Sequence, residues 1–240
     1  SHSSGNHAAA LAYAAGIRGV PCTVIMPKYA APIKVEAARG YGARIVLCDE
    51  GQRESTCKSV IAETGASFIP PFDHPDIIAG QGTACLELLE EVPDLDTIIA
   101  PVGGGGLLAG TTVAAAGHDP APRVFGAEPE AVDDAFRSLA SDERQLAVTS
   151  PKTIADGLLT RLGELNFSIL RKQMVRVVTV SEAAILRASR DHLERMKLVV
   201  EPSSATVLAA LRVSACVDAR LRAGRPSGGR VRLQATRLRA

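Results

Sequence analysis

The feature that most constrains this chain is a regular alternation of short apolar segments with helical patterns. The apolar segments are rich in β-branched residues and bounded by Gly, Pro or Asp, as buried strands are; they cover residues 21–27, 43–49, 96–102, 122–128 and 174–180. The stretches between them predict helices, several with a Gly near the carboxyl end. This order predicts an α/β fold in which helices flank parallel sheets.

The chain has 240 residues, of which 46% are apolar, so it can bury a substantial core. The stretch ASFIPPFDHP at residues 66–75 carries three prolines and interrupts the alternation, which predicts a crossing between two lobes. We therefore expect a small domain at residues 1–66 and a large domain at 67–211. Residues 212–240 hold eight Arg and one Asp and predict an atypical tail.

Composition also restricts the classes of partner and compartment. No apolar run approaches the roughly 20 residues of a membrane helix, so we expect a soluble protein without a membrane partner. An Arg-rich tail can contact nucleic acid, but this one lacks interleaved aromatic residues, and we expect no nucleic-acid partner. The cysteines occur singly, without metal-ligand spacing, which favours free thiols in the cytoplasm; they are Cys22, Cys48, Cys57, Cys85 and Cys216.

Four consecutive glycines, Gly103, Gly104, Gly105 and Gly106, follow a predicted strand and precede an Ala-rich helix. We call them the glycine loop. Glycines reach backbone conformations closed to other residues and can present several N–H groups to one anion, near the positive end of the helix dipole. The loop therefore predicts a phosphate site, with a plain tight turn as the structural alternative. It lacks GxGxxG spacing and the Lys-Ser/Thr of a P-loop, so it does not favour a nucleotide.

A polar stretch lies where the first predicted helix begins, and we call it the opening loop; it comprises Ser3, Ser4, Gly5, Asn6 and His7. Ser and Asn often cap helices, so capping is one interpretation. Two hydroxyls, an amide and backbone N–H groups at one helix start also suit a carboxylate ligand.

Acidic residues mark two further positions. Glu128 ends a predicted strand and Asp134 follows six residues later, so with a backbone carbonyl they could hold a divalent cation. The alternative is a helix start that carries favourable acidic residues. Glu201 precedes an Ala-rich helix, where it can act simply as a partner of the helix dipole.

Together these segments resemble the serine racemase and serine/threonine dehydratase family of fold-type II pyridoxal-phosphate enzymes. The resemblance implies a two-lobed, tryptophan synthase β-like fold with an incomplete large domain, pyridoxal 5'-phosphate as cofactor, and a homodimer. It rests on seven motifs in the family's order from residue 1 to about 211: SSGNHAAALAYAA, YGARIV, IAGQGTACLELLEEVP, PVGGGGLLAG, GAEPEAVDDA, TIADGL and ERMKLVVEPSSA.

The resemblance also implies roles for individual residues. The glycine loop would hold the cofactor phosphate, Asn6 would bond the cofactor's ring hydroxyl, and the opening loop would bind the substrate carboxylate. Ser4 would be the catalytic acid/base, on the face of the cofactor opposite the family's Schiff-base lysine. Asp156 and Glu201 would line the cleft. A Mg or Ca ion would be bound by Glu128, the carbonyl of Val132 and Asp134.

The implied reactions act on L-serine or L-threonine. Dehydration would give pyruvate and ammonia from serine, or 2-oxobutanoate and ammonia from threonine, whereas racemisation would invert the Cα of serine. A sulfide-transferring relative on the same fold is a weaker interpretation, because the glycine loop and EPEAVDD resemble dehydratases more closely.

Two parts of the family pattern are not matched. The family's Schiff-base lysine lies upstream of the SSGNH motif, and the six lysines of this chain lie outside such a segment, so we expect an amino-terminal truncation that puts catalysis in question. At the other end, Ser227 precedes two glycines but Arg230 replaces the family's Asn; Ser227 is either a relic of the ligand to the cofactor's pyridine nitrogen or a coincidence. The alternative function is a non-catalytic module that binds the cofactor, an amino acid or a partner.

Overall fold

A computed structural model describes residues 1–3, 5–49, 51–217 and 231–233. They divide into two compact units, one formed by Ser1–Pro71 and one that begins at Phe72. Each unit contains a parallel sheet with helices, so the predicted α/β class is confirmed. The domain boundaries drawn from the sequence remain predictions.

The first unit is built around two parallel strands with Thr23 opposite Arg44. Residues 1–3 run beside the first strand, where the Ser3 N–H donates to the Ile25 carbonyl at 3.0 Å. Small side chains of the first helix pack against this strand in the core. The elements are α1 (Asn6–Ile17), β1 (Thr23–Pro27), α2 (Pro32–Gly40), β2 (Arg44–Cys48) and α3 (Arg53–Thr64).

The second unit has a four-stranded sheet in the order β5-β4-β3-β6, with every described pairing parallel. Its strands are β3 (Thr97–Pro101), β4 (Arg123–Pro129), β5 (Arg176–Val180) and β6 (Val231–Leu233). Its helices are α4 (Pro75–Glu91), α5 (Gly106–Ala116), α6 (Asp134–Ser141), α7 (Glu164–Lys172), α8 (Glu182–Glu194) and α9 (Pro202–Val217), with one-turn 3-10 helices at Glu130–Val132 and Asp156–Leu158.

Helices cover both faces of this second sheet. Successive residues of a strand point to opposite faces, so neighbours in its buried strands pack against different helices. Ile99 packs with α8 and α9 on one face. Its neighbour Ala100 packs with α5 and α7 on the other. All five residues of β3 are buried, so the sequence at its end is held in place by packing on two sides.

Helices α4 and α5 cross with their backbones in direct contact. A methyl group added at Gly110 would lie 2.4 Å from the Ile78 carbonyl oxygen and 2.6 Å from the Gly82 backbone nitrogen. The crossing therefore requires glycine at this position. None of the helices in the described part of the chain is long and apolar enough to span a bilayer.

Candidate active site

The glycine loop connects β3 to α5 and is closed along one side by packed residues. A Cβ at Gly104 would lie 2.5 Å from the Phe72 ring, and one at Gly105 would lie 2.5 Å from the Leu162 side chain. Gly105 also has φ +92°, a left-handed conformation that side chains rarely adopt. The fold therefore accepts only glycine at these two positions.

The N–H groups of the glycine loop carry the binding potential of this site. None of the four donates a hydrogen bond to an acceptor within the described residues, although Gly105 and Gly106 are buried. Buried N–H groups without acceptors are unfavourable, and the start of α5 adds a positive partial charge. An anion such as a phosphate group would satisfy these donors, so the loop fits the predicted phosphate site.

The carbonyl of Gly104 faces the start of α7. It accepts hydrogen bonds from the Gly163 N–H at 3.0 Å and from the Asn166 side-chain amide at 2.7 Å. Asp73 in turn accepts from the backbone N–H groups of Glu164 and Asn166, at 2.9 Å and 3.2 Å. Neither Asp73 nor Asn166 belongs to a motif that predicts a site; the available signal was an amide on the otherwise apolar face of a short helix.

The opening loop precedes α1 in the first unit. Gly5 occupies the N-cap position and its N–H donates to the Ser3 hydroxyl at 3.3 Å. Asn6 begins the helix and is exposed. The ring Nε2 of His7 lies 3.1 Å from the Ser1 hydroxyl, and burial lowers the pKa of His7 to about 4. Ser4 lies outside the described residues, as does Ser227.

Acidification is expected to destabilise the first unit through His7. Its pKa is about 4 in the folded chain, against an ordinary 6.5, so the unfolded state takes up a proton first as the pH falls. The free energy of unfolding should therefore fall by roughly 2–3 kcal/mol between about pH 6.5 and pH 4. Urea denaturation across this range measures the loss, and His7→Gln should reduce it. An equal pH dependence in both proteins would contradict the assignment.

Two acidic side chains lie buried where β4 leads into α6. The carboxylate of Glu128 accepts from the N–H groups of Ala135 and Phe136, at 3.0 Å and 2.8 Å, and Asp134 accepts from the Leu162 N–H at 2.8 Å. Burial raises the pKa of Glu128 to about 8 and raises the pKa of Asp134.

These contacts agree with the capping alternative but leave lone pairs for a cation, since each carboxylate oxygen can accept twice. Val132, whose carbonyl is the third predicted ligand, is the buried residue of the 3-10 turn between the two acids. No cluster of three or more His, Cys, Asp or Glu side chains suited to a metal occurs in the described ranges.

Two further motifs meet beside α9. The Gly157 N–H donates to the Ser203 hydroxyl at 3.0 Å, and a Cβ at Gly157 would lie 3.7 Å from a Glu201 carboxylate oxygen. Asp156, next to Gly157, is exposed at the start of a 3-10 turn. The structure thus brings the TIADG and EPSSA segments together, as expected if both belong to one site.

The sequence of this chain matches a known protein family and is similar to those of several characterised proteins. The model of the family described as pyridoxal-phosphate dependent enzyme matches residues 1–229. Serine racemase of Dictyostelium discoideum is 49% identical over 213 residues, which are 88% of this chain and 66% of that protein. The L-threo-3-hydroxyaspartate ammonia-lyase of Saccharomyces cerevisiae is 46% identical over 84% of this chain and 63% of its own length.

The fold of this chain is also similar to that of a solved structure. The crystal structure of a T.th. threonine deaminase superposes with a TM-score of 0.84 at 45% identity, over 90% of this chain and 72% of that one. The chain thus spans about two thirds of the length of the curated relatives it matches.

Proposed function

Since the chain belongs to the family of pyridoxal-phosphate dependent enzymes, we propose that it binds pyridoxal 5'-phosphate and forms part of an amino-acid ammonia-lyase or racemase. The observation that carries this proposal is the glycine loop. Its N–H groups lack acceptors in the described chain. A side chain at Gly104 or Gly105 would overlap Phe72 or Leu162.

Each residue of the proposed site has a separate role. The glycine loop holds the cofactor phosphate, Asn6 bonds the ring hydroxyl and Ser227 faces the pyridine nitrogen. When bound, the cofactor would stabilise negative charge at the substrate Cα. The opening loop orients the substrate carboxylate, and Ser4 exchanges a proton with Cα on one face. Asp156 belongs to the substrate side of the site.

We propose L-serine or L-threonine as substrate. The relatives are named for serine, hydroxyaspartate and threonine, amino acids that share a β-hydroxyl. Removal of the Cα proton and loss of that hydroxyl as water would convert serine into 2-aminoacrylate, which water hydrolyses to pyruvate and ammonia. Return of the Cα proton on the other face would instead yield the opposite enantiomer. Ser4 supplies the second acid/base that racemisation requires.

The proposal is tested by titrating the chain with pyridoxal 5'-phosphate, and by assaying pyruvate, ammonia and D-serine from L-serine. The longest protein encoded by the reading frame that contains Ser1 is assayed in parallel, because no lysine of this chain matches the family's lysine motif. We expect cofactor binding by both and turnover by the longer protein. Binding by both without turnover by either would favour the non-catalytic module, and no binding would refute the proposal.

We also propose a Mg or Ca ion bound by Glu128, the Val132 carbonyl and Asp134, since both carboxyl groups are buried and a buried carboxylate favours a cation partner. Cation about 100-fold above its dissociation constant should raise the unfolding temperature by roughly 5 °C. Glu128→Gln and Asp134→Asn should abolish the increase, which differential scanning fluorimetry measures. Asp133→Asn is the matched control, because Asp133 instead pairs with Arg137 at 2.8 Å. A response retained in Glu128→Gln would contradict the site.

A homodimer and a cytoplasmic location complete the proposal. Cys22, Cys48, Cys57 and Cys85 are free thiols, as a reducing compartment would leave them. Light scattering after size-exclusion chromatography tests the dimer, and a monomer at micromolar concentration would contradict it.

A further inference from the structure

The glycine loop is held in place by hydrogen bonds from the start of α7, an element far from it in the sequence. The carbonyl of Gly104 accepts two hydrogen bonds, from the Gly163 N–H at 3.0 Å and the Asn166 amide at 2.7 Å. A carbonyl with two donors is fixed in direction. Because the peptide group is planar and trans, the N–H of Gly105 must point the opposite way, away from α7 and toward the side where no protein acceptor is described.

Asp73 fixes the helix that supplies these donors. Its carboxylate accepts from the Glu164 N–H at 2.9 Å and from the Asn166 N–H at 3.2 Å, two groups at the start of α7 that have no partner inside the helix. The approach is so close that a Cβ at Gly163 would lie 2.4 Å from the Asp73 carboxylate. Asp73 therefore sets the position of Asn166, and Asn166 sets the direction of the Gly104 carbonyl.

Asn166 is an unfavourable residue to bury for stability alone. Its side chain is 0% exposed, and its Oδ1 has no hydrogen-bond partner in the described part of the chain. An unsatisfied buried polar atom is destabilising, and an apolar residue of similar volume would avoid that cost. Its side-chain amide donates to the Gly104 carbonyl of the glycine loop at 2.7 Å and, in a longer contact, to the Phe72 carbonyl at 3.4 Å.

We propose that Asn166 and Asp73 are positioning residues for the cofactor phosphate. They hold the Gly104 carbonyl against α7 and thereby direct the Gly105 N–H toward the anion. This inference rests on the proposed cofactor, and it predicts a specific loss of phosphate recognition when the contact is removed.

The test measures affinity for pyridoxal 5'-phosphate and for pyridoxal, which lacks the phosphate, by fluorescence titration of the full chain. The dissociation constant for pyridoxal divided by that for pyridoxal 5'-phosphate isolates the contribution of the phosphate. Asn166→Ala should lower this ratio about tenfold, equivalent to one charge-assisted hydrogen bond, and Asp73→Asn should lower it in the same direction. Affinity for pyridoxal should change little.

The matched control is Leu170→Ala, one turn further along the same helix face and also 0% exposed. It should destabilise the chain without changing the ratio. An unchanged ratio in Asn166→Ala, or an equal decrease in Leu170→Ala, would overturn the proposal. If Asn166→Ala does not fold, Asp73→Asn and Asn166→Ser are judged by the same criterion.

A second readout separates this inference from the proposed function. The amide resonance of Gly105 in the ligand-free chain reports the hydrogen bonds on the Gly104 carbonyl. It should move in Asn166→Ala and stay in place in Leu170→Ala. If the unchanged chain binds neither ligand, the proposed function fails, while a Gly105 resonance unaffected by Asn166→Ala would refute the contact itself.

Discussion

Gly110→Ala is expected to lower the free energy of unfolding of the second unit by about 3 kcal/mol or more, because the added methyl overpacks a helix crossing. The new Cβ would lie 2.4 Å from the Ile78 carbonyl oxygen and 2.6 Å from the Gly82 nitrogen. These are backbone atoms, so no side-chain rotation relieves the overlap. The helices must separate, which opens the core that α4 and α5 share.

Gly117→Ala is the matched control at the end of the same helix. A Cβ there would meet no atom nearer than 3.5 Å, and the backbone is already right-handed. We expect a change within about 0.5 kcal/mol. Urea denaturation, with hydrogen exchange of α4 and α5 amides as a local probe, measures both variants. Similar stability of Gly110→Ala and the unchanged chain would show that the crossing is looser than described.

Gly105→Ala is expected to weaken binding of pyridoxal 5'-phosphate by about 100-fold, equal to some 2.7 kcal/mol. The substitution imposes a side chain on φ +92° and places its Cβ 2.5 Å from Leu162. Relief requires the peptide to rotate, which turns its N–H away from the phosphate. Gly104→Ala should act similarly, since its Cβ would lie 2.5 Å from the Phe72 ring.

The control for backbone strain is Gly65→Ala. Gly65 ends α3 with φ +67° and has open space around it, so it shares the left-handed conformation but not the crowding. We expect a stability loss of about 1 kcal/mol and unchanged cofactor affinity. Equilibrium titration with thermal unfolding in parallel distinguishes the two effects. Gly105→Ala that binds as tightly as the unchanged chain would remove the glycine loop from the binding site.

The regular elements could be predicted because their signals are local. The apolar runs at residues 21–27 and 96–102 contain β1 and β3, and the helical pattern after the glycine loop corresponds to α5. Helix α4 begins at Pro75, inside the stretch predicted as a crossing. There a proline occupies the first turn, and the His74 ring accepts from the Asp76 N–H at 3.2 Å. A histidine cap is a weak sequence signal, so this start was not apparent.

The glycine loop stands out in the sequence and remains a predicted phosphate site, whereas the residues that contact it from α7 and residue 73 could not be identified there. Asp73 and the N–H groups it accepts from lie 91 and 93 positions apart in the chain. No periodicity or motif spacing links such positions. Their pairing follows only from the packing of α7 beside α5, which is a property of the completed fold.

The order of the second sheet also has a consequence for synthesis on the ribosome. Thr97 in β3 pairs with Arg123 in β4 on one side and with Val231 in β6 on the other. A nascent chain can therefore form the β3–β4 pair early, but must keep the other edge of β3 unpaired until residues 231–233 have emerged. Exposed strand edges invite pairing between chains. Chaperone demand during translation should thus be greatest after β5 has emerged and before β6 appears.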